Sequence, residues 1–261
     1  MRSYLFVPGD RPERFAKALA AGADVVILDL EDAVSASNKA LAREHIARAV
    51  EEGAEVMLRI NGHGTPAFAD DLALLRHLRV KGVMLPKAES IESLVELAAV
   101  THAPIIPLIE SALGVWRVLD VARGPNVERL AFGSIDFQVD VGCAGSDEAL
   151  LYARSQIVLA SRVAGLQAPI DGVSVALDDA QVTAAEAEHS RMLGFAGKLC
   201  IHPRQVPVVN QVFTPSAEEL AWARRVVEAS ERSGGAAVSV DGAMVDLPVL
   251  IKAQNLLAMA D

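Results

Sequence analysis

Aromatic residues are scarce, 4% of 261, so a core of any size must be assembled from Ala, Val, Leu and Ile. That palette suits buried parallel strands flanked by alanine-rich helices. Cysteine is scarcer still. Cys143 and Cys200 stand far apart with no CxxC or Cys/His spacing, which excludes a disulfide framework and a zinc site and leaves two thiols expected to be buried. Basic charge is in deficit: 24 Lys and Arg against 34 Asp and Glu give a formal −10. No Lys/Arg-rich run offers the counterion release on which nucleic-acid binding depends, so no nucleic-acid partner is expected. A phosphorylated ligand would have to be met by a few local cations rather than by the overall field. Long apolar runs are missing as well. The N-terminus reaches Pro8-Gly9-Asp10 after a run too short for a signal-peptide core, and no stretch is long enough to span a bilayer; no membrane partner and a cytoplasmic location are expected.

What is present is a regular alternation. Hydrophobic residues make up 52% and charged ones 22%, a globular balance, and the length is close to the roughly 250 residues typical of one (β/α)₈ barrel. SYLFVPG is a short strand closed by Pro-Gly, and RPERFAKALAAG follows with helical spacing and a glycine stop. The unit recurs through DVVILDLED, EVMLRINGHGT, KGVMLPKAES, APIIPLIES, VERLAFGSID, QAPIDGVSV and GKLCIHP, each followed by a helical stretch. Eight parallel strands with helical crossovers favour closure into an α/β (β/α)₈ TIM barrel over a doubly wound open sheet. The barrel is assigned to residues 1–232. Residues 233–261 are surplus: a Gly-rich break, a hairpin around Asp241-Gly242 and a last amphipathic helix read as a C-terminal lid able to cover a barrel mouth, its own or a neighbour's.

Chemistry in such barrels sits where the strands end and the βα loops converge. Polar residues there are Asp10 and Arg11 after the first strand, Asp29, Glu31 and Asp32 after the second, Arg59 and Asn61 after the third, Lys87 and Glu89 after the fourth, Glu110 after the fifth and Asp136 after the sixth. Carboxylates at matching heights on adjacent strands, about 4.8 Å apart, can share one hard cation. Mg²⁺ takes one or two protein carboxylates and fills its other positions with water and substrate, so Glu110 and Asp136 form a candidate metal pair. A mouth salt bridge, or for Asp136 a helix cap, is the competing structural role. Arg59 tilts the balance, because acids around a cation plus one guanidinium suit a carboxylate substrate. Glu31 and Asp32 are placed as acceptors for metal-bound water. Lys87 could form a Schiff base with a keto substrate, but its acidic neighbours favour a charged ammonium in an ion pair. His202 and His63 show no metal-ligand spacing and read as loop residues.

The ordered set LFVPGDRPERFAKA, VVILDLEDAV, RIN, MLPKAES, LIES, FGSIDF, GKLCIHPRQ and GAMVDLPVL runs from the first strand to the last helix. Together these segments resemble the citrate lyase β-subunit-like group of the HpcH/HpaI aldolase superfamily, with its malyl-CoA and citramalyl-CoA lyase relatives. The resemblance implies an oxo-acid-lyase on a (β/α)₈ barrel, dependent on Mg²⁺ or Mn²⁺ in its place, cleaving a β-hydroxyacyl-CoA to a 2-oxo acid and an acyl-CoA. It implies Glu110 and Asp136 as metal ligands, Arg59 as the substrate-binding catalytic arginine and Asp246 of the lid as catalytic acid–base. It further implies coenzyme A contacts from Arg11, Arg14 and Lys17, although a solvated helix face explains those three equally well, and a homotrimer or pair of trimers whose lid reaches an adjacent subunit. Rival readings are a citrate lyase β subunit working on a citryl acyl-carrier-protein thioester inside a complex, a class II aldolase, an acyl-CoA thioesterase, and a non-catalytic scaffold on a retained barrel.

Overall fold

The computed structural model describes residues 1–234 and 236–259. They divide into two compact units, Met1–Asn210 and Gln211–Asp261. The first holds a closed barrel of eight parallel strands in sequence order: β1 Ser3–Pro8, β2 Val25–Asp29, β3 Met57–Arg59, β4 Gly82–Leu85, β5 Ile105–Ile109, β6 Ala131–Phe132, β7 Ile170–Asp171 and β8 Gly197–Cys200. Between them run α1 Phe15–Leu19, α2 Lys39–Glu51, α3 Pro66–Leu75, α4 Ile91–Ala98, α5 Ala112–Trp116, α6 Val118–Ala122, α7 Ser134–Val141, α8 Asp147–Val163 and α9 Ala180–Leu193, and α10 Gln205–Phe213 follows β8. The eight-stranded α/β barrel expected from the alternation is the observed fold.

The strands are short and bury residues on both faces, as a parallel sheet between a filled lumen and a helical coat requires. Tyr4, Ile27, Met57, Met84, Ile106, Leu108, Ala131, Ile170 and Leu199 form one buried cluster, with Phe6, Val25 and Val173 packed against it. At the N-terminal end of the strands the Tyr4 hydroxyl accepts a 2.6 Å hydrogen bond from Arg129 Nη1, so the barrel floor is a packed polar pair rather than an opening. Gly197 lines this end because a Cβ there would lie 2.5 Å from the Arg2 carbonyl.

Three details depart from the sequence reading. The stretch after Phe132 is helical: Gly133 ends β6 and caps α7, so Asp136 stands in the first turn of a helix rather than at a strand end level with Glu110. An acid there is favoured by the positive end of the helix dipole, which the strand reading of FGSID could not show. The one helical stretch expected after APIIPLIES breaks at Arg117 into α5 and α6. Cys200 is buried, but Cys143 is partly exposed just beyond α7, because Gly142 leaves that helix in the left-handed conformation.

The second unit contains α11 Ala217–Arg232, a hairpin of β9 Val238–Val240 and β10 Ala243–Val245, and α12 Leu247–Ala258. Ala223 and Val226 of α11 pack with Val240, Val245 and Ala253, which groups α11 with the C-terminal segment, where composition had set a break near residue 233. Asp241 and Gly242 both have positive φ, 53° and 81°, the pairing that tight two-residue hairpins require. A capping box between Ser216 and Glu219 starts α11. Among the described residues no helix is long and apolar enough to cross a membrane.

Candidate active site at the barrel mouth

β2 and β3 pair so that Asp29 faces Arg59 across the ladder. Arg59 Nε donates to Asp29 Oδ1 at 2.7 Å and Nη2 to Oδ2 at 2.6 Å, a two-pronged pairing of guanidinium and carboxylate. The Arg59 guanidinium also lies 4.7 Å over the Phe6 ring. Asp29 is fully buried and accepts further bonds from the Glu31 and Ala33 amides at 2.9 and 3.2 Å, so it fixes the loop after β2 as well as the arginine. Burial works against the charge on Arg59, yet the Asp29 bonds and the nearby Glu31 and Glu110 charges raise its pKa above the ordinary value.

The remaining acids crowd the same opening. Glu31 is buried, with Oε1 2.9 Å from Lys87 Nζ and Oε2 3.1 Å from Arg59 Nη1, but Oε2 has no aligned hydrogen bond. Burial pushes the Glu31 carboxyl up despite these cations. Glu110, one residue past β5, accepts a 2.7 Å bond from the Lys87 amide. Its pKa is pushed up to about 8, chiefly by burial and then by the Glu31 charge, with Asp136 adding to the rise. Gly133 makes room for it: a Cβ there would fall 2.5 Å from Glu110 Oε2.

Asp29, Asp32, Arg59, Glu110 and Asp136 line one cavity of about 280 Å³, walled on its apolar side by Phe6, Leu108, Phe132 and Leu199. The chain therefore brings together Arg59, Glu110, Asp136 and Asp32, with Glu31 touching Arg59 from beside them. Arg11, Arg14 and Lys17 are exposed and outside this lining; Arg11 and Arg14 have only distant acid neighbours, Asp10 at 3.9 Å and Glu13 at 4.0 Å. Asp246 belongs to the second unit, where its Oδ1 accepts a 3.3 Å bond from the Val249 amide and caps α12. Lys87 is in the ion pair that its acidic neighbours favoured. His63 lies outside the cavity, 3.1 Å from Glu96. Asp29 stood among the strand-end acids without a role; the structure makes it the partner of Arg59, through a register that pairs the fifth residue of β2 with the third of β3.

Glu110 and Asp136 fit a hard divalent cation. Glu110 is buried with one backbone donor and like charges around it, and Asp136 is an exposed wall residue with no hydrogen-bond partner among the described residues. A cation between them would offset the burial and the like charges that raise the pKa of Glu110. Among the described residues no three or more His, Cys, Asp and Glu are grouped to hold a metal.

A closed parallel barrel whose mouth opposes an arginine to such acids defines a TIM-barrel enzyme. The chain belongs to the HpcH/HpaI aldolase/citrate lyase family, whose model matches residues 2–203, and a second model, a C-C bond lyase of the TIM-barrel fold, matches residues 155–260; it is a carbon–carbon lyase. It is 40% identical over 264 residues to a citrate lyase subunit beta-like protein of Mycobacterium tuberculosis, covering 98% of this chain and 94% of that one. It is 32% identical to the human mitochondrial citramalyl-CoA lyase, covering 99% and 85%. The crystal structure of the protein CitE from Mycobacterium tuberculosis in complex with magnesium, acetoacetate and coenzyme A superposes with a TM-score of 0.89 at 39% identity, covering 99% of this chain and 97% of that one.

Proposed function

We propose that the chain cleaves a β-hydroxyacyl-CoA of the citramalyl-CoA or malyl-CoA type to pyruvate or glyoxylate and acetyl-CoA by a retro-Claisen reaction. The observation that carries this reading is the pairing of Glu110 and Asp136, two carboxylates without a cation of their own, with Arg59 on the wall of the same cavity. The magnesium and coenzyme A of the tuberculosis protein, and the activity named for the human relative, support it.

Glu110 and Asp136 would hold the Mg²⁺, which supplies Lewis-acid polarisation of the substrate's oxygens when bound. Arg59 binds the substrate carboxylate and stabilises charge on the oxygen that becomes the keto group. Asp29 keeps the guanidinium in place for this. Glu31 and Asp32 accept hydrogen bonds from water at the site. As the β-hydroxyl gives its proton to water at the site, the C–C bond breaks and its electron pair leaves the acyl-CoA as an enolate, to which Asp246, in its protonated form, hands a proton. Arg11, Arg14 and Lys17 meet the phosphates of the CoA arm. The enzyme works as a homotrimer or a pair of trimers in the cytoplasm, residues 233–261 forming the lid over a neighbour's mouth.

The test is incubation with citramalyl-CoA and malyl-CoA, with and without Mg²⁺, following 2-oxo acid and free CoA thiol separately. Mg²⁺-dependent release of 2-oxo acid is expected. Thiol release without 2-oxo acid would make the protein a thioesterase, and turnover only of an acyl-carrier-protein thioester would make it a citrate lyase β subunit. A folded, metal-loaded protein that neither turns over any hydroxyacyl-CoA nor binds a 2-oxo acid would end the proposal.

A further inference from the structure

Lys87 has the one backbone conformation at the mouth that its residue type does not favour. Its φ is 48°, and the other non-glycine residues with positive φ among those described are Asn126 and Asp241, types that tolerate the left-handed region. For a side chain without a short polar group that region costs about 1–2 kcal/mol, whereas glycine adopts it freely. Backbone strain held at a site is a pointer to function when something there depends on it. The Lys87 amide, which donates to Glu110, could be supplied by glycine without strain. The ammonium could not.

That ammonium donates to Glu31 Oε1 at 2.9 Å, while Glu31 Oε2 stands 3.1 Å from Arg59 Nη1. The other edge of the guanidinium, Nε and Nη2, is already spent on Asp29. Arg59 thus faces two carboxylates with a single charge, and the Asp29, Arg59 and Glu31 trio is net negative by one. Lys87 brings the group to neutrality. Without it, Glu31 would be drawn wholly onto the Nη1 edge, the edge left for an incoming anion, and the extra negative charge would repel a substrate carboxylate across a low-dielectric cavity.

We propose that Lys87 is a positioning residue that shares Glu31 with Arg59, keeping Oε2 from an aligned hydrogen bond to Nη1, and so keeps that edge of the arginine available to the carboxylate of the 2-oxo acid. This rests on the reading that Arg59 binds that carboxylate.

The test measures pyruvate binding by calorimetry at saturating Mg²⁺, and Mg²⁺ binding without pyruvate, for Lys87→Met and Lys87→Arg in the wild-type and Glu31→Gln backgrounds. Lys87→Met is expected to weaken pyruvate by about 10-fold or more while Mg²⁺ binds at least as tightly as in the wild type, which also shows the fold to be intact. Lys87→Arg keeps the charge and restores pyruvate affinity. In the Glu31→Gln background there is no charge to hold off, so Lys87→Met costs less than about 2-fold, a coupling that a merely structural lysine would not show. Equal losses in both backgrounds, or no loss in either, overturn the inference. An Arg59→Met arm separates the two levels: wild-type pyruvate affinity there would sink the reading of the site itself, whereas loss there with none in Lys87→Met sinks only the role of Lys87.

Discussion

Two buried carboxylates of the barrel unit, Asp71 and Glu110, live under opposite regimes. Asp71 in α3 is fully enclosed and saturated: Oδ2 accepts the Asn61 amide at 2.7 Å and its side-chain nitrogen at 2.6 Å, and Oδ1 accepts Arg43 Nε at 2.7 Å. Glu110 is buried almost as deeply but receives one amide and is surrounded by like charge, so its pKa climbs to about 8. A buried acid that the fold satisfies is part of the scaffold. One that the fold leaves in deficit, beside an open cavity, is kept for something that arrives from solution.

The contrast is most sharply broken at Glu110 itself. Glu110→Ala or Asp136→Ala is expected to lower kcat/KM by more than about 100-fold, beyond what loss of an outer partner of a metal costs, while the melting temperature of the metal-free protein holds or rises. Asp71→Ala should do the reverse. Taking from Asn61 its acceptor and from Arg43 one of its partners, Asp70 and the Ala67 carbonyl remaining, costs about 1–3 kcal/mol of stability, measurable by urea unfolding, with Mg²⁺ affinity unchanged in whatever fraction folds. A smaller perturbation is Gly133→Ala, which presses a methyl against Glu110 and at about 1–3 kcal/mol of overpacking should weaken Mg²⁺ by roughly 10-fold in a titration.

The pH dependence follows from the same deficit. Glu110 titrates near 4.3 when unfolded and near 8 when folded without metal, so the stability its protonated form contributes is complete below the unfolded value and is lost as pH rises through about 8. A cation takes the ionised form and displaces the proton. The rise in melting temperature caused by Mg²⁺ should therefore be larger at pH 8.5 than at pH 6; equal rises would show that Glu110 is not where the ion binds. At the small end, Arg14→Ala or Lys17→Ala should change stability by less than about 0.5 kcal/mol and raise KM for the CoA substrate a few fold with kcat intact.

The eight strands were legible because each is a buried apolar run closed by turn chemistry, a local signal. That Arg59, Glu110 and Asp136 would meet at one opening was legible for the same reason: each lies beside the end of such a run. The place of Asp136 was not, since a single residue, Gly133, converts strand into helix three positions early. The Asp29 clamp depends on the register between β2 and β3, and the setting of Lys87 on Glu31 and Glu110, which follow two other strands; neither is written in spacing along the chain. The grouping of α11 with the hairpin and α12 is likewise a matter of packing, which composition, changing only near residue 233, does not carry.

The hydrogen bond between Tyr4 and Arg129 has a kinetic corollary. It lies at the foot of the barrel with the packed lumen above it, and that packing leaves the mouth as the route for traffic. On the proposed reaction the 2-oxo acid lies deepest, against Arg59, with the thioester outermost, so the acyl-CoA must depart first and the 2-oxo acid last. The free enzyme is then the form that the 2-oxo acid rebinds. Pyruvate or glyoxylate should inhibit competitively with substrate and acetyl-CoA should not, an order of departure that a barrel open at one end imposes.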